Sequence, residues 1–201
     1  MNRSRQQRVW RTWPLIGEID GSVVTAGVFD GFHRGHVALV EEALASGRRL
    51  DLPTVLVTFE PHPLVVLAPE RAPVQLLSVT DRIDQALSLG VDGVVVLPFT
   101  RTLAAQTATA FVERGLVGRL GARSLVVGDN FRCGYGGEGD LLFLERLGAR
   151  LGFEVRGVDL VRRGERTCSS TELRRALAAG DRATALDVLG RSDDRILALA
   201  G

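Results

Sequence analysis

The stretch SVVTAGVFDGFHRGHVALVEEALA, residues 22–45, decides how this chain folds. Residues 22–28 are small, apolar or β-branched, as in a strand covered on both faces. A polar loop follows, and over 35–45 the apolar positions recur at helical spacing. Strand, loop and helix in that order make half of a βαβ unit, and the same order returns downstream. Further strands are expected at 53–59, 93–97, 124–127 and 154–160, and helices at 78–89, 107–120 and 141–151. Two closing helices, 171–179 and 181–189, meet at the turn Gly180-Asp181. Runs such as TVLVTF and SLVVG are apolar on both faces, as a parallel sheet between two helical layers requires. Alternation in units of ~35 residues predicts an α/β protein, a doubly wound (Rossmann-like) parallel sheet with helices on both faces.

The rest of the composition fits one domain over 22–191, with 1–21 as an N-terminal arm, loose over 1–12, and 192–201 as a tail without a fold of its own. The chain has 201 residues, 45% of them hydrophobic, and 25 basic less 24 acidic residues leave a charge of +1. That balance argues against binding nucleic acid by a basic patch and against a polybasic membrane anchor. All the basic residues are arginine, which excludes chemistry that needs a lysine, such as a Schiff base or a Walker-type phosphate loop. Cys133 and Cys168 form no CxxC pair, so neither a structural zinc site nor a disulfide framework is written here. No apolar stretch has secretory length or approaches the ~18 residues of a membrane span, and a cytoplasmic protein is expected.

In an open parallel sheet the ligand sits outside the carboxyl ends of the strands. Phe29-Asp30-Gly31-Phe32-His33-Arg34-Gly35-His36 follows the first strand, and Glu60-Pro61-His62-Pro63 the second. Gly128-Asp129-Asn130-Phe131-Arg132 and a glycine-rich stretch to Asp140 follow the fourth. After the fifth, Cys168-Ser169-Ser170-Thr171 opens a helix that carries Arg174. All three histidines of the chain, His33, His36 and His62, fall in these loops. His33 and His36 with Asp30 or His62 could hold a metal, but no HExxH motif is present, and no protein metal ligand is assigned. Gly31 and Gly35 suit the close approach of a phosphate.

Gly35-His36 begins a helix, where free N–H groups and the dipole attract anions. Ser169-Ser170-Thr171 begins another, and reads either as an ordinary cap or as a second anion site. Arg174 can fold back over that helix end and clamp phosphate oxygens, whereas Arg175 points about 100° away. Gly128-Asp129 can bring a carboxylate to a ribose hydroxyl. Phe59, Phe131 and Tyr135 can stack on a flat ring, and prolines stiffen the loop at 60–63. The cysteines read as packing residues.

Four of these segments, in this order, resemble one family. The run 27–36 is similar to the GxFDGxHxGH signature of the FMN adenylyltransferase module of bacterial bifunctional riboflavin kinase/FAD synthetases, within the HxGH nucleotidylyltransferase superfamily. Thr58-Phe59-Glu60-Pro61-His62-Pro63, Val127-Gly128-Asp129-Asn130-Phe131-Arg132, and Ser169-Ser170-Thr171 with Arg174 match it in turn. The resemblance covers roughly residues 20–191. Two segments depart from it: the family's ISST is Cys168-Ser169-Ser170-Thr171 here, and its FRFG is Phe131-Arg132-Cys133-Gly134.

The resemblance implies adenylyl transfer from ATP to FMN, giving FAD and pyrophosphate, with Mg²⁺ arriving on the ATP and held mainly by its phosphates. His33, His36 and Arg174 would then be catalytic. Gly27, Phe29, Asp30, Gly31, Gly35, Gly128, Asp129, Ser169, Ser170 and Thr171 would hold the nucleotide. Phe59, Pro61, His62, Asn130 and Phe131 would approach the flavin. The alternatives are nucleotidylyl transfer from ATP or CTP to another phosphate or phosphonate, or an inactive flavin- or nucleotide-binding homologue. No riboflavin kinase domain is expected, since the residues after 191 are too few for a β-barrel.

Overall fold

Apolar residues on both faces of each strand demand two cores, and the fold supplies them. The computed structural model describes residues 7–200. Its strands are β1 (Arg8–Trp10), β2 (Ser22–Ala26), β3 (Thr54–Glu60), β4 (Gly93–Pro98), β5 (Ala122–Gly128) and β6 (Glu154–Val158), all parallel in one sheet. Their spatial order is β1-β4-β3-β2-β5-β6. Along β4, Val94 and Val96 enter one core while Val95 and Leu97 enter the other; along β2, Val23 parts from Val24 and Ala26 in the same way. Each such side chain, fully buried, contributes about 1.5–3 kcal/mol of transfer free energy.

The helices are α1 (Arg34–Leu50), α2 (Pro63–Leu67), α3 (Val79–Ser88), α4 (Arg101–Ala104), α5 (Ala108–Ala110), α6 (Gly118–Leu120), α7 (Leu141–Leu151), α8 (Ser170–Ala178), α9 (Arg182–Leu189) and α10 (Asp194–Leu197). α1, α3, α8, α9 and α10 cover one face of the sheet, through residues such as Val40, Ile83, Leu173, Val188 and Ile196. The other face is covered by α7 and by a π-helix, Phe111–Val117, between α5 and α6. The sequence pattern predicts an uninterrupted α-helix there. The indole of Trp13 lies on Gly115, where a Cβ would come within 2.5 Å of its ring.

Three expectations are corrected. The N-terminal arm is not loose where it is described: Arg8, Val9 and Trp10 pair in register with Gly93, Val94 and Val95. A short Val-Trp run suffices because Trp10 covers Gly93 and its Nε1 donates to Glu18 at 2.9 Å. Residues 1–6 lie outside the described residues. The tail beyond 191 is docked, since α10 buries Ile196 and Leu197. The fifth predicted strand stops at Val158, and an antiparallel hairpin, β7 (Arg162–Arg163) with β8 (Arg166–Thr167), precedes α8.

β2 has β3 on one side and β5 on the other. Chain direction around the sheet reverses between β2 and β5, and their carboxyl ends open the crevice where such folds bind ligands.

Candidate active site

Two loops leave that crevice, and each builds a different half of the site. The first half grows from the turn after β2. Phe29, Gly31 and Phe32 have φ of 55°, 85° and 42°, in the left-handed region. Two buried rings hold this turn, Phe29 on Phe32 with centroids 5.5 Å apart. The turn delivers His33 to the N-cap of α1, and the rings of His33 and His36 stack at 3.8 Å. No side chain caps α1, and its first turn holds no acidic residue. Its leading amides and the positive end of its dipole therefore face the crevice uncompensated.

Burial, followed by the charges of Arg191 and Arg174, pushes the His33 imidazole down to about 4. Burial, His33 and Arg191 hold His36 well below its ordinary value. Both imidazoles are neutral at pH 7. Each keeps a buried Nδ1 without a hydrogen-bond partner, an arrangement that is costly unless a ligand or water completes it.

Opposite them stands α8. Ser169 caps it, accepting from the Glu172 amide at 3.1 Å, and the Ser170 hydroxyl donates to the Asp30 carbonyl at 2.7 Å. Arg174 donates through Nη2 to the buried Asp30 carboxylate at 2.5 Å and through Nε to the Val74 carbonyl at 2.6 Å. Asp30 also accepts from the amides of Leu76 and Leu77. The Arg174 guanidinium is thus aimed before any ligand arrives.

The second half is apolar. A cavity of about 780 Å³, a volume suited to a small-molecule ligand, opens between the ends of β2, β3 and β5 and the loops from 99 to 105 and 130 to 137. Gly27 and Val28, which lead into the histidine turn, form its floor with Phe59 and Phe111, and Asn130 and Phe131 form a wall. Beneath the boundary of the two halves, the buried Arg82 of α3 donates to the carbonyls of Val28 and Phe59 and to the Thr58 hydroxyl, and pairs with Glu60. It joins the ends of β2 and β3.

A family model described as FAD synthetase matches residues 16–172, which takes in the cavity and the histidine turn and reaches the start of α8. The chain belongs to the FAD synthetase family. It is 40% identical over 171 residues to the bifunctional riboflavin kinase/FMN adenylyltransferase of Escherichia coli K12, covering 85% of this chain and 55% of that protein. The Pseudomonas fluorescens protein of the same name is 40% identical over 177 residues, 88% of this chain and 57% of its own. The chain therefore spans little more than half the length of these relatives. A crystal structure of a Streptococcus pneumoniae protein described as a macrolide-efflux protein superimposes with a TM-score of 0.77 at 28% identity, over 89% of this chain and 60% of that one. Among the described residues of this FAD synthetase family member, no helix is long and apolar enough to cross a membrane.

The structure brings His33, His36, Arg174, Asp30, Ser169 and Ser170 together. It also sorts the residues expected around them. Phe29 is a core residue with no exposed surface, so only its backbone can face a nucleotide. The Asp30 carboxylate is engaged by Arg174 and the amides of Leu76 and Leu77. The two glycines serve the protein's own packing. A Cβ on Gly31 would meet Leu76 at 2.9 Å, and one on Gly35 would meet the Cys168 carbonyl at 3.0 Å. Thr171 is exposed at the start of α8. Gly128 ends β5 and Asp129 follows it, where burial and the neighbouring Asp159 push the Asp129 carboxyl up.

Of the residues expected at the flavin, Phe59, Asn130 and Phe131 line the cavity and Pro61 and His62 do not. The Glu60–Pro61 bond is cis. His62 accepts from the Leu64 amide and so caps α2. Burial and then Arg174 lower its imidazole. Arg82 is not among the residues that the sequence pattern singles out, although an arginine on the apolar side of an amphipathic helix is a signal that marks it. Arg191 closes the run Leu189-Gly190-Arg191, which is similar to the family's passage out of this module, but the run by itself assigns the arginine no role.

Proposed function

We propose that this chain transfers the adenylyl group of ATP to FMN, forming FAD and pyrophosphate. The observation that carries this reading is the junction of the two halves at Gly27–Val28, where a cavity lined by aromatic rings leads into the turn that carries a pair of neutral imidazoles to an uncapped helix start. MgATP is the nucleotide substrate, its ion held mainly by the phosphates.

An oxygen of the FMN phosphate attacks the α-phosphorus in line, the bond to the β-phosphate oxygen breaks, and pyrophosphate leaves. A phosphate monoester is already largely dianionic near neutrality (second pKa ~6), so the attacking oxygen needs no general base. What the protein supplies is positioning and donors for the charge that spreads in the transition state. With their Nδ1 atoms buried and unpartnered, His33 and His36 carry the proton on Nε2 and donate from there. Arg174, the start of α8 and Thr171 hold the outer phosphates. Phe59 and Phe131 stack on the isoalloxazine, and Asn130 bonds its edge. The sheet domain presents the α-phosphorus to its acceptor and is assigned no riboflavin phosphorylation. Both substrates and product are soluble, which fits work in the cytoplasm.

The test is purified protein with Mg²⁺, ATP or CTP, and a panel of phosphorylated acceptors, read by pyrophosphate release and product mass. FAD from ATP and FMN is expected. Turnover of another acceptor in preference to FMN, or of CTP in preference to ATP, would replace this reading.

A further inference from the structure

We infer that Arg191 is a positioning residue of the phosphate half: its guanidinium, from the segment between α9 and α10, fixes the turn that places His33 and His36. The inference rests on the reading of these histidines as phosphate donors. Arg191 reaches 159 residues back along the chain to donate through Nη1 to the Phe32 carbonyl at 2.5 Å, and through Nη2 to the Gly31 carbonyl at 3.2 Å. These are the last two carbonyls before His33. The turn they belong to has two non-glycine residues at positive φ, Phe29 and Phe32, a conformation that is costly for such residues and persists only where its surroundings over-determine it. The buried rings hold the turn from the core side, and Arg191 holds it from the other.

The guanidinium is itself braced. Its Nη2 donates to the buried Asp193 carboxylate at 3.0 Å, which Arg195 grips through two bonds of 2.9 Å, and Arg195 reaches Asp81 of α3 at 2.5 Å. Asp193 lies below its ordinary range because these hydrogen bonds outweigh the effect of its burial. The turn is therefore tied to α3 through a chain of charge-assisted bonds, the strong kind. Because the rings of His33 and His36 stack at 3.8 Å, a rotation of the Phe32–His33 peptide displaces both donors together. The charges facing the pair are Arg191 and, on the side of α8, Arg174, and Arg191 contributes to the lowered imidazole of each histidine.

The experiment compares Arg191→Gln and Arg191→Lys with the parent protein by two readouts. Steady-state FAD formation separates kcat from KM. Imidazole NMR of the ligand-free protein follows the His33 titration and the cross-relaxation between the two rings. For Arg191→Gln, kcat should fall about 10²-fold with KM for ATP nearly unchanged, as for a displaced catalytic group. His33 should titrate above its value of about 4, and the ring contact should weaken. Arg191→Lys keeps the charge but cannot bridge two carbonyls and a carboxylate, so kcat should fall while the titration stays low. A merely stabilising arginine would lower the unfolding free energy and leave kcat and the ring contact of the folded protein unchanged in both variants, with at most the shift in titration that loss of its charge brings to the glutamine variant; that result overturns the inference. If Arg191→Gln does not fold, the lysine variant decides by kcat and ring contact. If the parent forms no FAD, the proposed acceptor fails, and the ring contact still decides the role of Arg191.

Discussion

The two halves of the crevice meet at Gly27–Val28 and are built on opposite principles. The cavity half is a void: its walls are mostly apolar, with Phe59, Phe99, Phe111 and Phe131 among them and few polar side chains such as Asn130. The phosphate half carries many polar atoms, most of them engaged with one another. Arg174, Asp30, Ser170 and Arg191 already form a bonded frame around two imidazoles whose Nδ1 atoms lack partners. Shape suffices for a ring because stacking tolerates small displacements. Developing charge does not tolerate them, so its donors are oriented before the ligand arrives.

If this contrast is right, damage to the phosphate half should appear in turnover. His36→Ala and Arg174→Ala should each lower kcat by about 10²–10³-fold, the scale of one lost preorganised donor. Rapid-quench measurement of FAD formation on proteins with parental circular dichroism checks this, and near-parental turnover in either would remove that residue from the chemistry.

The boundary itself should be a point of stability. Arg82→Met leaves the Val28 and Phe59 carbonyls and the Glu60 carboxylate short of a donor. Urea unfolding should show a loss of about 3 kcal/mol, within the range for breaking a buried pair. A loss below about 1 kcal/mol would mean that the strand ends need no such tie.

The depressed His33 imidazole makes a pH prediction of definite sign. Between pH 6.5 and about 4 the unfolded chain binds a proton at this residue and the folded protein does not. Its contribution is fully present above pH 6.5 and is lost as pH falls through that window, to a total of about 3 kcal/mol. Substituting His33→Gln should flatten the stability curve over that interval, and curves that stay parallel would refute the buried neutral imidazole.

Damage to the cavity half should instead appear in binding. Phe131→Ala should raise KM for FMN about tenfold with kcat little changed, because stacking holds ground state and transition state alike. Equal falls in kcat and kcat/KM would erase the distinction between the halves. The smallest effect belongs to the thiols. Burial and Glu138 push Cys133 up to about 12, and Cys168 is a core residue. Turnover of the Cys133→Ser, Cys168→Ala protein should stay within about tenfold of the parent, since phosphoryl transfer needs no thiol; abolished turnover in a folded protein would reopen a covalent route.

Much of this architecture is legible in the chain itself, because local pattern dictates an element wherever its residues share one environment. The double-faced apolar runs at 54–59 and 124–128 could only be parallel strands between two cores, and α7 occupies 141–151 as its apolar spacing predicts. The histidines, Arg174 and the serines can be located because strand–loop–helix order alone determines which loops share the carboxyl edge of a parallel sheet. The sequence also settles what chemistry is closed to this protein, by holding no lysine.

What only the tertiary structure decided is how each polar group is spent. In a sequence Asp30 and Gly31 look available to a ligand; in the fold one aims Arg174 and the other makes room for Leu76 and Leu173. The partners of Arg82 and Arg191 cannot be named until the strands and turns they bind lie beside them. The three-residue strand at Arg8–Trp10 and the four-residue helix at Asp194–Leu197 are too short to declare themselves by periodicity. They exist because β4 offers an edge and the first core offers a cover. The reason is the same in each case: hydrophobic period is a local property carried by the chain, whereas the partner of a hydrogen bond or ion pair can lie 159 residues away and is chosen only when the core brings it there.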